Sequence, residues 1–472
     1  MTGRQAATSR VTVAPTATGP RAGRTAVVIG GGLAGIAAAI GLREAGFGVT
    51  VLEARPRLGG AASSFRRADL TIDNGQHVFL RCCTSYQDLL GRLGVAGSVT
   101  VQDRFDVTVL SPRRQARLRR SGAPSPLHLG RALAGYRLLS LRERLLVARA
   151  AAAFRSVDPG DASLDNVRLG DWLSARGQSE RARRMLWDLF VVSSLNIAGD
   201  DASLPLAATV VKLALLGDRG AADIGMAAVP LGDLHDRAAA RYLAGLGAQV
   251  RLGAKATAVE RLAGGGFRVG ELLADGVVLA VPPDQAAKLA SPAGLAGTER
   301  WAGLGASPIV NVHIVYDRPV TGLPMAAGVN SPVQWVFDKT RQAGLASGQY
   351  LAVSLSAADE YVDVPVSALR EVFEPAIEQL LPGASRARIV DFFVTRERRA
   401  TFRQGPGTGA LRPGTQTSVP GLVLAGAWTD TGWPDTMEGA VRSGDNAARE
   451  LIRELAAGQD RPEALTQLGA AS

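Results

Sequence analysis

An α/β architecture, with one domain built on a parallel sheet and a mixed α+β domain interleaved with it, is predicted by three features of the 472-residue chain. The stretch RTAVVIGGGLAGIAAAIGLREAGFGVTVLE, residues 24–53, reads as strand, glycine turn, helix, strand and acid. Short apolar segments that look like buried strands return far downstream, at Val278–Val281 and Leu422–Ala425. Between them come a Leu- and Arg-rich helical region and then alternating strands over 305–400.

The opening unit sets the first domain. Thr25–Ile29 is a buried strand, Leu33 to Ala45 has helical apolar periodicity that Gly46 stops, and Gly48–Leu52 is the second strand, ending at Glu53. Gly30, Gly32 and Gly35 stand in Gly-x-Gly-x-x-Gly spacing. The first allows the tight turn, the second lets backbone approach a pyrophosphate, and the third lets helix pack on strand. Leu33 and Ala34 open the helix, whose free N–H groups and positive dipole end favour phosphate. Glu53 follows Gly35 by 18 residues, where a carboxylate can accept from ribose hydroxyls. This is a Rossmann-like dinucleotide-binding unit, and by itself it does not separate NAD from FAD.

The next residues do separate them. EARPRLGGAASSF carries Ala54, Arg55, Arg57, Gly59 and Gly60 directly after the acid. This resembles the second glycine pair of the flavin amine oxidase and carotenoid desaturase superfamily. The resemblance implies FAD in a glutathione-reductase-type domain, with Gly59–Gly60 bringing backbone to the diphosphate. Many members carry an Arg after the pair; here Ala61 stands there, with Arg57 and Arg66 nearby to compensate. Asp73-Asn74-Gly75-Gln76-His77 resembles the squalene-associated branch of that superfamily, the hydroxysqualene dehydroxylases. By that resemblance Asn74, Gly75 and Gln76 run beside the flavin, and His77 and Asp73 are the candidates for a catalytic acid or an orienting group. The plain alternative is a turn rich in Asx hydrogen bonding.

Along the rest of the chain, Thr84–Leu93 reads as a helix and 99–120 as strands ending in an Arg-rich hairpin. Residues 127–155 read as one basic amphipathic helical stretch, able to lie on an anionic membrane or to show a solvated Arg face. The helical region 168–216 suits a pocket for a long apolar substrate. After Pro230 the pattern is helix, strand, strand. The resemblance implies that a strand backbone near Ala256–Val259, with Ala258 and Val259 in contact, meets the adenine side. The FAD-binding parts are then 24–98, 221–300 and 406–457, the substrate parts 99–220 and 301–405, and 1–23 and 458–472 are tails.

Composition excludes some classes. The formal charge is +10, yet no stretch interleaves aromatic with basic residues, which argues against nucleic acid. The only cysteines are the adjacent Cys82 and Cys83, which fits a reduced, cytoplasmic protein. The four histidines, 77, 128, 235 and 313, are scattered without a metal-ligand pattern.

The C-terminal stretch GLVLAGAWTDTGWPDTMEGAVRSG completes the cofactor site. Gly426 ends a strand and brings backbone to the cofactor. The superfamily has an acid next; here Ala427 stands there, so backbone alone or Asp430 makes that contact. Thr436 is the N-cap of a helix from Met437 and Glu438 onward, whose first N–H groups face the flavin. No cysteine lies here, so FAD is non-covalent. The resemblance implies reductive removal of the allylic hydroxyl of hydroxysqualene. It also implies a long isoprenoid substrate, an external electron donor such as NADPH, and contact with the inner membrane face and the squalene-pathway synthases. The alternative is a phytoene-type desaturase or an amine oxidase running the flavin oxidatively.

Overall fold

A computed structural model describes residues 23–457. The expected tails therefore lie outside the described residues, apart from Gly23.

The strand Thr25–Ile29, the helix Leu33–Glu44 and the strand Gly48–Glu53 form where the apolar pattern places them. They nucleate a five-stranded sheet in the order Gln249–Leu252, Gly48–Glu53, Thr25–Ile29, Gly276–Leu279, Leu422–Leu424. Every pairing in it is parallel. A parallel sheet is covered on both faces, so its strands are apolar without alternation. Ala26, Val28, Val51, Val278 and Val423 pack under the first helix and the C-terminal helix Met437–Ala457. Val27, Ile29, Leu52, Val277 and Leu424 belong to the opposite core, which runs into the helical region. The two helices touch closely: a Cβ on Gly444 would lie 2.1 Å from the Ala34 carbonyl oxygen.

The second sheet has seven strands, in the order Ile389–Thr401, Ser307–Tyr316, Gln349–Leu355, Trp335–Asp338, Met325–Gly328, Asp106–Ser111, Arg114–Arg119. One pairing, Met325–Gly328 with Asp106–Ser111, is parallel, and the others are antiparallel. Strand periodicity divides SPIVNVHIVY between two faces. Val310, Val312, Ile314 and Tyr316 pack on the helix Val366–Leu380 with Leu369, Phe373 and Ile377. Ile309, Asn311 and His313 face the other way, toward the parallel-sheet part of the molecule. Asn311 pairs in register with Thr395 on one side and Ser354 on the other.

The single helical stretch expected over 127–155 is broken. A short helix Gly130–Ala134 ends at Gly135, and a new one, Leu141–Ala153, starts at Ser140. Ser140 and Glu143 form a reciprocal capping box, and that Ser-x-x-Glu signature was present in the sequence. Residues 168–216 are likewise divided, by N-caps at Ser179 and Ser203 and by the left-handed Asn196 at φ 49°. The strand expected near Ala256–Val259 does not form. Gly253, at φ +67°, turns the chain off the sheet after Leu252.

Among the described residues no helix is long and apolar enough to cross a membrane.

Candidate functional site

The opening glycines bring three pieces of backbone together. Gly30 has φ +108°, and a Cβ there would sit 2.2 Å from the Ala280 carbonyl oxygen. Gly59 donates its N–H to Gly31 at 2.8 Å, and a Cβ on Gly60 would lie 2.9 Å from Gly32 Cα. The two glycine motifs therefore touch each other. Gly35 packs so that a Cβ would be 1.8 Å from Gly30 oxygen. Gly32 caps the first helix without any side-chain bond, and Ile36 is the first residue whose N–H bonds back, to Gly32. The N–H groups of Leu33, Ala34 and Gly35 thus point out of the helix with no acceptor in its first turn.

Glu53 is buried and accepts from Gly31 N at 2.6 Å and Arg55 N at 2.7 Å, each oxygen keeping lone pairs for a ribose. Ala54 and Arg55 are exposed, and Arg55 Nη1 donates to Gly60 oxygen at 3.1 Å. Arg57 Nε is buried with no partner. An uncapped helix start, an orphaned guanidinium nitrogen and a two-glycine approach fit a bound dinucleotide diphosphate. Val259, expected at the adenine side with Ala258, has no free N–H to offer. Val259 is fully buried and its N–H already donates to Leu289 oxygen at 2.9 Å. Ala254 reaches Glu53 instead, donating to its carbonyl at 2.9 Å.

The 73–77 turn is held from two sides, and this corrects several expectations. Asp73 is not free to act as an acid. Its Oδ1 accepts from Ser64 Oγ at 2.6 Å and Leu231 N at 2.9 Å; its Oδ2 accepts from Gln342 Nε2 at 2.7 Å and pairs with Lys339 Nζ at 3.3 Å. Asn74 is committed as well. Its Oδ1 accepts from Ser63 N at 3.0 Å, and its Nδ2 donates to Ala61 oxygen at 2.8 Å and Glu397 Oε1 at 3.0 Å. His77 Nδ1 lies 3.2 Å from Gly75 oxygen, which makes Nδ1 the protonated nitrogen, and burial pulls its pKa below 6.5. A neutral imidazole is a poor acid, and His77 is not on the wall of the cavity described below. Gly75 and Gln76 stay at the site, with Gln76 on the cavity wall and its Nε2 buried without a partner.

Two histidines missed in the sequence brace this region. His235 Nδ1 donates to Ala62 oxygen at 3.0 Å and Nε2 accepts from Tyr86 hydroxyl at 2.9 Å, which fixes the loop after Gly60. His313 accepts from Tyr350 hydroxyl at 2.7 Å and donates through Nε2 to Thr395 Oγ1 at 2.9 Å; Thr395 in turn donates to Asn74 oxygen at 3.2 Å. The seven-stranded sheet thereby grips the turn. Burial lowers the His313 pKa to about 3.

A folded-state pKa below the unfolded value means that the unfolded chain takes up the proton first as pH falls. The neutral ring's contribution is complete above about 6.5 and is lost as pH drops toward 3. His313→Gln is therefore expected to cost stability at pH 7.5. Its deficit against wild type should shrink by about 2 kcal/mol at pH 5, read from urea midpoints of both proteins. A deficit that does not change with pH would show that His313 does not titrate on unfolding.

At the C-terminal loop Gly426 adopts φ +134°, and Ala427 is buried. Asp430 does not replace the missing acid. It is exposed and its Oδ1 accepts from Gly432 N at 3.2 Å, closing an Asx turn. Arg412, buried at 7% exposure, donates to the carbonyls of Ala427, Trp428, Thr429 and Trp433. Nothing in GALRPG marked that arginine as the loop's anchor.

Thr436 is the N-cap of the last helix, its Oγ1 accepting from Gly439 N at 3.1 Å. The Met437 and Glu438 N–H groups are left facing outward. The Glu438 side chain is not available to a cofactor. It is buried and accepts from Ser85 N at 3.1 Å, Tyr86 N at 2.8 Å and Arg442 Nε at 2.7 Å, capping the helix Thr84–Arg92.

Beside these elements opens a cavity, partly open to solvent, whose empty space counted together with its mouth is about 1410 Å³. Leu189, Phe190 and Leu213 form its helical wall, and Ile309, Trp335 and Phe337 its sheet wall. Gln76, Thr436 and Met437 lie on it where the 73–77 turn meets the last helix. Cys82 and Cys83 are on the wall too; their mutual hydrogen bond pulls the Cys82 thiol pKa down and pushes the Cys83 pKa up. The site is a glycine-rich cradle of a kind that fits a dinucleotide, beside a largely apolar chamber.

Comparison with known proteins agrees with this geometry. The family described as flavin containing amine oxidoreductase matches residues 33–452. A hydroxysqualene dehydroxylase of Rhodopseudomonas palustris is 33% identical over 92% of this chain and 99% of its own. Another, from Sinorhizobium fredii, is 31% identical over 90% and 98%. A putrescine oxidase structure with putrescine bound shares the fold at TM-score 0.68 and 20% identity, covering 91% of this chain and 99% of that one.

Proposed function

This chain belongs to the flavin-containing amine oxidoreductase family, and from that premise we propose that it binds FAD non-covalently and converts hydroxysqualene to squalene. The likeness to two proteins named for that reaction, over nine-tenths of the chain, carries the reading. The apolar chamber supports it, because a long hydrocarbon gains roughly 25 cal/mol for each Å² removed from water.

In the reaction the allylic C–O bond breaks, the hydroxyl takes a proton that solvent ultimately supplies and leaves as water, and a hydride replaces it on carbon. Reduced flavin supplies that hydride when bound. The chain's own residues do the rest. Leu33–Gly35 N–H groups and Arg57 would hold the diphosphate and Glu53 would take the ribose, with Gln76 and the start of the last helix on the wall of the chamber beside them. The apolar walls exclude water, which would otherwise capture a developing allylic cation. An external donor of the NADPH class reduces the cofactor between turnovers.

Exposed Leu127, Leu141 and Leu145, at 66%, 72% and 73%, stand among exposed Arg131, Arg137, Arg142 and Arg149. That pattern suits peripheral docking on an anionic bilayer, from which the substrate is drawn.

The test is a single turnover without oxygen. Protein whose flavin has been chemically reduced is mixed with hydroxysqualene carried in vesicles. One squalene per flavin, with flavin reoxidised, is expected, and faster from anionic than from neutral vesicles. Failure to form squalene, together with bleaching of oxidised flavin by a polyene precursor or an amine, would instead identify a desaturase or an amine oxidase. Equal rates from both vesicle types would remove the membrane docking.

A further inference from the structure

The chain has two cysteines, and they are neighbours, Cys82 and Cys83. Both are half-buried, and both lie on the wall of the apolar chamber. The proposed reaction uses neither. Adjacent side chains ordinarily point apart, to opposite faces of a strand or different faces of a helix. Here the chain is in neither state. The strand Val78–Leu80 has ended, and the helix Thr84–Arg92 has not begun. Cys83, at φ −79° and ψ 70°, is the centre of an inverse γ-turn, in which Thr84 N donates to Cys82 oxygen at 3.0 Å. The turn is held on both sides. Cys82 N donates to Ala221 oxygen at 3.1 Å and Cys83 N to Leu80 oxygen at 2.8 Å, while Glu438 caps the helix that follows. In this turn the two thiols reach each other and form a hydrogen bond. That bond pulls the Cys82 thiol down, against burial and the Glu438 carboxylate. A more acidic thiol with a second thiol beside it is the arrangement of an attacking and a resolving cysteine.

We infer that Cys82 and Cys83 form a reversible redox site on the chamber wall, closed to a disulfide by hydrogen peroxide and reopened by small thiols. A reduced flavin that meets dioxygen passes it two electrons and two protons, so peroxide arises beside the chamber. The Cys82 thiolate attacks one peroxide oxygen. The O–O bond breaks, a sulfenic acid forms, and hydroxide leaves to take up the proton that Cys82 gave. The Cys83 sulfur then attacks the Cys82 sulfur. The S–S bond forms, the S–O bond breaks, and the oxygen leaves as water with the Cys83 proton. In sum two thiols and one peroxide give one disulfide and two waters. Neighbouring Cα atoms are about 3.8 Å apart, closer than the roughly 4.4–6.8 Å that disulfides usually span. Such a ring is strained, which is why small thiols reopen it. The pair competes for peroxide with Met325 and Met437 on the same wall, whose oxidation would make an apolar surface polar. The source of peroxide rests on the flavin chemistry proposed above; the existence of the site does not.

The FAD-loaded protein is treated with a small excess of hydrogen peroxide, its remaining thiols are blocked with a maleimide, and the intact chain is weighed. Because the chain has no third cysteine, an intrachain disulfide can only be this one. Loss of two hydrogens per chain is expected, with no maleimide added, no cross-linked dimer, and full recovery of both thiols in dithiothreitol. Phenylarsine oxide, which bridges two neighbouring thiols and releases water, checks the geometry without an oxidant. One should bind per wild-type chain, about a hundredfold more tightly than to Cys82→Ser or Cys83→Ser. Saturating squalene should slow both reactions about fivefold or more, and its binding is read from the flavin absorbance of the same sample.

A wild-type chain that gains oxygen or links to a second chain, instead of losing two hydrogens, overturns the inference. So does phenylarsine oxide binding no tighter to wild type than to the serine variants. Squalene that binds without slowing either reaction overturns the placement of the thiols on the chamber wall. Ring closure in a protein that binds no squalene would sustain the redox site and count against the proposed reaction.

Discussion

Gly30→Ala is expected to yield protein that no longer retains flavin. The wild-type backbone at this position has φ +108°, a conformation that costs a residue with a Cβ about 1–2 kcal/mol. The clash is worse than the strain. The new methyl would stand 2.2 Å from the Ala280 carbonyl oxygen and 3.1 Å from Val281 Cγ1. Ala280 follows the strand Gly276–Leu279, and its N–H donates to Ile29 oxygen at 2.8 Å, so it cannot retreat without opening the sheet beside the turn. The remaining freedom is for the turn itself to move, and it carries the helix start that would meet the diphosphate. We expect a loss of about 3 kcal/mol or more in flavin binding, a hundredfold or greater. Visible flavin absorbance per mole of purified protein reads it out. Gly122→Ala, where a Cβ meets nothing within 4 Å, is the control. Full flavin content in the Gly30 variant would contradict the close approach described here.

Arg412→Met should be the most destabilising substitution outside the hydrophobic cores. One guanidinium serves four backbone carbonyls within the segment 427–433, and its plane lies over the Phe402 ring at 5.3 Å. Methionine fills much of the volume and supplies no donor. Each buried carbonyl stranded in this way costs on the order of 1 kcal/mol or more, giving about 3–5 kcal/mol in total after relaxation. Arg412→Lys should recover less than half. An ammonium is a compact charge with three donors and cannot span the fan of acceptors that a planar fork reaches. Urea midpoints compare the three proteins. Faster flavin release is expected alongside, since the pinned segment leads directly into Thr436 and the last helix. A Met variant within about 0.5 kcal/mol of wild type would show that the loop is held by other contacts.

The first domain was legible because its code is local. Gly30, Gly32, Gly35 and Glu53 announce themselves by spacing within thirty residues of chain, although the carbonyl that crowds Gly30 comes from distant Ala280. The site's second half was less legible because its partners are distant in sequence. Asp73, Asn74 and Glu438 are polar residues in the right neighbourhood, but each is bonded to groups on other elements, such as Gln342, Glu397 and Tyr86. A carboxylate already holding three or four donors reads the same in sequence as a free one. The strand expected near Ala256–Val259 failed for a different reason: a glycine with positive φ ended the preceding strand early. Asn311 and His313 did leave a signal, as two polar residues inside a ten-residue apolar strand. Buried polar groups in such a place need a reason, and the structure supplies one for each: Asn311 donates to Asn74 oxygen, and His313 to Thr395.

The parallel sheet has a further consequence, in time rather than in space. Its central strand is translated first, and its edge strand Leu422–Leu424 almost last. At ordinary elongation rates of about 5–20 residues per second, roughly 20–70 s separate the synthesis of Glu53 from that of Leu422. Through that interval the nascent chain displays a sticky, half-built sheet. It cannot capture its cofactor until the last fifty residues described here have emerged. A flavin held between the first glycine turn and the last helix would therefore be taken up late in synthesis, once both halves of its site exist.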